Sequence, residues 1–205
     1  MGSIFKDASG VDQSFYNWMF SIAGNMQDAP SDISFYDLFT ADELYDLYSI
    51  NNASWYVNHA DCPLTGGVKQ YHQSNLLRMI ITEADDAIEQ SRIGADLRFG
   101  HDGIVAGVVV LMGLEGCTYS TDNLETLSDF WNICDIIPMA ANIQLVFYHN
   151  EDGDVLMKVL FNEKETALPI QTVCGPYYRW DDVRDYWQDV LKNSPVPAEA
   201  LNIAS

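Results

Sequence analysis

Two side chains capable of acid–base chemistry, His101 and Asp102, stand next to each other in the stretch LRFGHDG at residues 97–103. Both are costly to bury unless they are paired or used. The preceding residues, ADLRFGH, are typical of a short strand, and the apolar run after them predicts a helix from Asp102 to about Met112. In an open α/β sheet, this carboxyl end of a strand is where ligands bind.

A position between a strand and a helix favours an anionic ligand. The N-terminus of a helix offers backbone N–H groups without intrahelical partners and the positive end of the helix dipole. His101 could donate hydrogen bonds to phosphate, and Asp102 could act as a general acid where a bound anion favours its protonated form. The alternative is structural, with Asp102 capping the helix and His101 a hydrogen-bonded core residue.

Other polar patterns in the sequence favour structural interpretations. His59, Asp61 and Cys62 lie within four loop residues, but no second ligand cluster accompanies them, so we predict no metal site. The acidic turn EDGD at residues 151–154 suits a polar hairpin better than a calcium site. GHDGIVAG is glycine-rich but is not G-x-G-x-x-G, so a nucleotide-binding α/β domain is the weaker alternative.

The composition limits the possible partners of the chain. Its 205 residues include 48% hydrophobic residues, enough for a packed core, and its formal net charge is −20. Nucleic acid is excluded as a partner, because binding to phosphates along a strand needs clustered Lys and Arg. No apolar stretch reaches membrane-spanning length, so we expect no membrane partner, and MGSIFKDASG lacks the regions of a signal peptide.

The predicted elements change in kind along the chain. A helical subdomain is predicted for residues 1–92, an α/β subdomain carrying the His-Asp pair for 93–192, and a frayed tail for 193–205. Thr40 and Glu43 have the spacing of a capping box. The remaining predicted elements are helices at SNLLRMIITEADDAIEQSR, LETLSDFWNI and WDDVRDYWQDVLK, a hairpin of NIQLVFYHN with DVLMKVLFN, and an edge strand at TALPI.

The order of several motifs resembles the histidine acid phosphatases, and more closely their multiple inositol polyphosphate phosphatase, or phytase-like, branch. These motifs follow one another over most of residues 35–182: DLFTADELYDLYSI, WYVNHADCPLTGG, SNLLRMIITEADDAI, ADLRFGHD, IIPMAANIQLVFYHN, LMKVLFNE and CGPYYRW. The resemblance implies a partial phosphoglycerate-mutase-like fold, with His101 contacting phosphate and Asp102 protonating the leaving alcohol. It also implies a phosphomonoester substrate such as phytate, no cofactor or metal, and a periplasmic or secreted location.

The sequence departs from this family in one respect. The family's nucleophilic histidine stands in an R-H-G-x-R-x-P motif, and no Arg-His-Gly occurs here. The chain therefore resembles the carboxyl-terminal portion of such an enzyme, and we expect it to be inactive alone, because the first chemical step needs that nucleophile. The alternative is a non-catalytic relative that acts as a binding or assembly module. A truncated sheet would expose edge strands, so we expect either self-association through these edges or a rearrangement of the exposed elements.

Overall fold

The structure, a computed structural model, describes residues 13–28, 30 and 32–196. The first twelve residues, which include the stretch MGSIFKDASG, and the part of the predicted tail after Val196 lie outside the described residues. The described residues fall into two compact units that divide between Ala53 and Ser54. This division reflects where residues contact one another most densely. It does not test the predicted subdomain boundary between residues 92 and 93, which stays a prediction.

The first unit contains helix α1 (Gln13–Asn25) and the beginning of helix α2 (Ala41–His59), which ends in the second unit. The predicted capping box opens α2. The backbone N–H of Thr40 donates to Oε2 of Glu43 at 2.7 Å, and the backbone N–H of Glu43 donates to Oγ1 of Thr40 at 3.2 Å. Two amides that have no partner within the helix are thereby satisfied by side chains.

The second unit contains four further helices, which are α3 (Ser74–Glu89), α4 (Asp102–Met112), α5 (Ile133–Ile136) and α6 (Trp180–Lys192). The predictions of α3, α4 and α6 are confirmed. The helix predicted at LETLSDFWNI is instead a 3-10 turn, Leu127–Asp129, followed by the short α5. α4 is apolar on all sides, and residues 106–112 are buried, as expected for such a helix.

A four-stranded antiparallel sheet forms the other part of the second unit, so the chain mixes helices and sheet as predicted. Its strands are β1 (Ile143–His149), β2 (Val155–Phe161), β3 (Lys164–Thr166) and β4 (Tyr178–Arg179). β2 is central: it pairs with all of β1 on one side, and with β3 and β4 on the other. The predicted hairpin is thus confirmed.

The edge strand predicted at TALPI is wrong in position, because pairing ends at Thr166. The residues after Thr166 do not continue the strand pairing. The N–H of Leu168 donates to the Tyr178 hydroxyl at 2.9 Å, and Pro169 has no N–H to offer a neighbouring strand.

The core lies where the helices meet each other and the sheet. Met157, Val159 and Phe161 alternate along β2 and are buried, and α6 packs against this strand. The fully buried indole of Trp187 on α6 donates to the carbonyl of Met112 at the end of α4, at 3.1 Å. Trp180 donates to Oδ1 of Asp85 on α3 at 2.7 Å, which joins α3 to α6. The Trp187 bond thereby joins α6 to the end of α4, the helix that carries the candidate site.

The short strand predicted at ADLRFGH is wrong. Residues 95–101, called here the exposed segment, form no strand pairing within the described part of the chain and are exposed to solvent throughout. Leu97 and Phe99 are 74% and 93% exposed. A strand needs a neighbour for its N–H and C=O groups, and the antiparallel sheet does not include this segment. His101 and Asp102 therefore stand at the start of a helix but not at the edge of a sheet.

Candidate functional site

A cleft of about 430 Å³ lies within the second unit and includes both predicted site residues. Three elements form its walls: the end of α2, the 3-10 segment Lys69–Gln73, and the first turns of α4. Its volume falls in the range of small-molecule sites. The polar side chains at its surface are those of Asn58, His59, Lys69, His72, Gln73, His101 and Asp102.

His101 and Asp102 are both exposed at the N-terminus of α4. His101 is the N-cap residue in an extended conformation, and its side chain makes no capping bond, so it stays available to a ligand. Asp102 is the first helical residue, and its Oδ1 accepts a hydrogen bond from the N–H of Gly103 at 2.8 Å. The core role weighed for His101 is therefore wrong. The N-cap role weighed for Asp102 is wrong in position, because His101 is the N-cap, although the Asp102 carboxylate does satisfy the N–H of Gly103 in the first turn.

His59, at the end of α2, approaches the first turn of α4. Its ring stacks on Trp55 at 4.8 Å between centroids, and its Nδ1 lies 3.1 Å from the Trp55 carbonyl oxygen. Nδ1 is therefore the donor, and Nε2 points toward α4. A Cβ on Gly103 would lie 2.9 Å from this Nε2, so the close approach depends on glycine.

Lys69 and His72 come from the 3-10 segment Lys69–Gln73, which packs against α4. Gln73 at its end lies beside Gly107, one turn of α4 beyond Gly103. Most described Lys and Arg side chains pair with a carboxylate, as Arg92 does with Asp96. Lys69 does not: its ammonium has no ion-pair or hydrogen-bond partner within the described residues.

The cleft thus has more hydrogen-bond donors and cations than acceptors. Lys69 is positively charged, and each of the three histidine rings has an N–H that can donate a hydrogen bond. Among the described residues that line the cleft, Asp102 is the one carboxylate. Tyr71, beside Lys69, stays a neutral phenol, because burial and then the charge of Asp61 raise its pKa. In a chain with net charge −20, this cleft is suited to an anion.

The three residues considered as metal ligands in the sequence do not form one site. His59 faces the cleft, Cys62 is buried, and Oδ1 of Asp61 accepts from Nε2 of Gln70 at 3.4 Å. Across the described residues, no group of three or more His, Cys, Asp or Glu side chains could hold a metal ion.

None of the described helices combines the length and apolar character needed to cross a bilayer.

The sequence motifs identify one wall of the cleft and not the others. In the sequence, His59 is a candidate only as a metal ligand, and no local pattern points to Lys69 or His72. These residues lie about thirty to forty positions before His101, so no local spacing connects them. The available signal was the pair Gly103 and Gly107 at i, i+4, because glycines on one helix face allow a close approach by another element.

Comparisons with known proteins add no assignment: no protein-family model matches the chain, and none of the curated proteins matches it. The resemblance to the histidine acid phosphatases therefore rests on the residues and their order. What it implies about the fold, substrate and mechanism is carried into the proposal below.

Proposed function

We propose that this chain supplies the phosphate-binding histidine and the proton donor of a histidine acid phosphatase acting on inositol polyphosphates such as phytate. In this proposal His101 contacts the phosphate and Asp102 protonates the leaving alcohol. The observation that carries the proposal is the cleft, in which these two exposed side chains stand with two further histidines and the Lys69 ammonium, which has no ion-pair partner within the described residues. The partial histidine phosphatase fold is part of the same proposal.

The proposed reaction has two steps, and Asp102 takes part in both. A histidine nitrogen of an Arg-His-Gly motif attacks phosphorus, the bond to the alcohol oxygen breaks, and the Asp102 proton goes to that oxygen. Water then attacks the phosphohistidine, and the Asp102 carboxylate takes the water's proton as phosphate leaves. This chain has no such nucleophile, since Arg-His-Gly does not occur in it. The nucleophile and the arginines that stabilise the phosphate charge must come from outside these 205 residues.

The first test measures phosphate binding by the isolated chain. The sequence has four histidines, so the NMR signals of each imidazole ring can be followed separately in mildly acidic solution. Inorganic phosphate is expected to shift the His101 signal and to leave that of His149, which lies on β1 outside the cleft, unchanged. The His101→Gln variant is expected to lose this binding. A His101 signal that stays in place at high phosphate concentration would contradict the proposal.

The second test measures phosphate release from phytate and p-nitrophenyl phosphate. We expect none from the chain alone. Turnover by the isolated chain that Asp102→Asn abolishes would show that a nucleophile exists within it, contrary to the proposal. The chain co-expressed with a polypeptide containing R-H-G-x-R-x-P, as from a reading frame just upstream, is expected to release phosphate. Asp102→Asn should slow that release by about 10²- to 10⁴-fold, and equal rates would exclude Asp102 as the proton donor.

A non-catalytic binding or assembly module is the second candidate function. It is favoured by the bond from the Gly103 N–H to Asp102, which gives this carboxylate a structural role, and by the exposed segment. Under this function the chain binds phosphate at His101, but no partner restores phosphate release. The co-expression experiment therefore separates the two candidates.

A further inference from the structure

We propose that one face of α1, in the first unit, is a docking surface for a basic polypeptide whose apolar side chains are flanked by lysine or arginine. This face consists of Phe15, Trp18 and Ile22 and is called here the α1 face. The inference goes beyond the proposed function, because it involves none of the residues that line the cleft.

The α1 face is an apolar surface that is open to solvent. Its three residues have the spacing i, i+3, i+7, which places them on one side of a helix. All three are exposed, and Trp18 is 70% exposed. The other side of α1 packs within the first unit, where Ala23 is fully buried and the 3-10 turn Tyr36–Leu38 contacts the helix. α1 is therefore packed on one side only.

The composition of α1 indicates that a partner would stabilise it. Most of its thirteen residues are Ser, Asn, Gly or aromatic, which are weaker helix formers than Ala or Leu, and none is charged. A helix of this length is marginal in water without packing. Tryptophan is also among the residues that contribute most to binding at protein interfaces. A partner that covers Trp18 would thus supply packing on the open side of the helix.

The charge of the first unit indicates what kind of partner fits. Residues 13–53 contain no Lys, Arg or His, and their six acidic residues are all exposed: Asp28, Asp32, Asp37, Asp42, Glu43 and Asp46. None of the six forms an ion pair within the described part of the chain. Asp28 lies in the 3-10 turn that follows α1, and Asp37 lies in the turn that contacts it. A partner with cations beside its apolar side chains is therefore complementary to this unit.

The same charges disfavour two other occupants of the α1 face. A second copy of the chain would bring the same carboxylates, and like charges repel. Helices that lie on a membrane surface carry Lys and Arg on their polar side. The polar residues of α1 that the structure shows as exposed are all uncharged: Ser14, Asn17, Ser21 and Asn25.

The test uses a designed helical peptide with leucine on one face and lysine on the other, titrated into the chain by calorimetry at low ionic strength. We expect it to bind, and to bind more weakly as salt is added. Two control peptides separate the contributions of charge and apolar surface. One has glutamate in place of lysine, and the other has the leucines and lysines in an order that forms no apolar face. Both should bind at least tenfold more weakly, and equal binding of either would overturn the inference.

Trp18→Ala should weaken binding of the leucine–lysine peptide about tenfold, a loss typical of a tryptophan at the centre of an interface. Alanine favours the helix, so α1 should be retained, which circular dichroism can check. Phe99→Ala is the matched control, because Phe99 is an exposed aromatic residue outside the first unit. No loss in Trp18→Ala, or an equal loss in both variants, would overturn the inference.

The carboxylates near α1 are tested by the double variant Asp28→Asn, Asp37→Asn, which should weaken binding of the leucine–lysine peptide several-fold. Its control is Asp122→Asn, Asp152→Asn, which removes the same charge from exposed positions in the second unit. Equal losses in the two double variants would assign the effect to the net charge of the chain and overturn the inference.

Vesicles of neutral phosphatidylcholine, and light scattering of the chain alone, test the other two occupants. Vesicle binding or association of copies that Trp18→Ala abolishes, without binding of the peptide, would assign the α1 face to a membrane or a second copy and overturn the inference. None of these measurements depends on His101 or Asp102, so each of these outcomes leaves the proposed function intact.

Discussion

Gly103 is the residue on which the geometry of the cleft most directly depends. Alanine is normally the better helix former, by about 1 kcal/mol. Here the added methyl would lie 2.9 Å from Nε2 of His59, so this ring, which stacks on Trp55, must shift. We expect Gly103→Ala to keep the fold but to weaken phosphate binding in the cleft several-fold and shift the His59 NMR signals.

Gly100→Ala is the control for this change. A Cβ on Gly100 would meet nothing nearer than Cδ1 of Ile104, at an ordinary 3.7 Å. This variant should bind phosphate as the unmodified chain does. Similar losses in both variants would mean that the position of His59 does not matter for binding.

At the residue scale, the sequence identified the side chains of the cleft only where they are neighbours in the chain. His101 and Asp102 could be selected because they are adjacent and precede an apolar run. Lys69 and His72 could not, because they reach the cleft through the packing of the 3-10 segment against α4. Their lack of partners, which makes them candidates, is a property of the folded chain.

At the scale of elements, the capping box of α2 gives a measurable contribution to stability. The Thr40 hydroxyl donates to Oε2 of Glu43 at 2.8 Å and accepts from the Glu43 N–H. Thr40→Ala should lower the free energy of unfolding by about 1 kcal/mol in urea denaturation. Thr126→Ala is the control, because Thr126 precedes a 3-10 turn without a side-chain capping bond, and it should change little.

The effect of Thr40→Ala should depend on pH. The backbone N–H of Thr40, and then its hydroxyl, lower the pKa of Glu43 by stabilising the carboxylate. A carboxyl with a lowered pKa stabilises the folded state above its unfolded pKa, and this contribution disappears as pH falls through its folded pKa. The difference between Thr40→Ala and the unmodified chain should therefore narrow in acid. A constant difference down to pH 2 would contradict this role of Glu43.

A predicted helix or strand is found in the structure where the pattern that predicts it lies within the element itself. The pattern of α6 lies within its own thirteen residues, and β2 shows its buried face by alternation, so both could be predicted. The exposed segment has a similar apolar pattern, with Leu97 and Phe99 two residues apart. It forms no strand because a strand also requires a paired neighbour, and the pattern of one segment does not specify that neighbour.

At the scale of the whole molecule, the exposed segment and the net charge of −20 act in opposite directions on self-association. Leu97 and Phe99 present apolar surface that two copies can bury against each other, while the like charges of the copies repel. We expect light scattering to show association that increases with salt concentration, because salt screens the repulsion. Replacing both residues with serine should reduce it.

Met139→Ser is the comparison for that experiment, since Met139 is 72% exposed but lies outside the segment. This variant should associate as the unmodified chain does. A monodisperse monomer at all salt concentrations would show that the exposed segment does not drive self-association.

The exposed segment also lies between the two walls of the cleft along the chain. Exposed loops are the preferred sites of proteolytic nicking, and the segment contains Arg98, after which trypsin cuts. One cut there would leave Lys69 and His72 on one fragment and His101 and Asp102 on the other. Since α3 packs against both α4 and α6, the fragments would remain associated without a covalent link. A protease could therefore cut the backbone while the two fragments keep the cleft assembled.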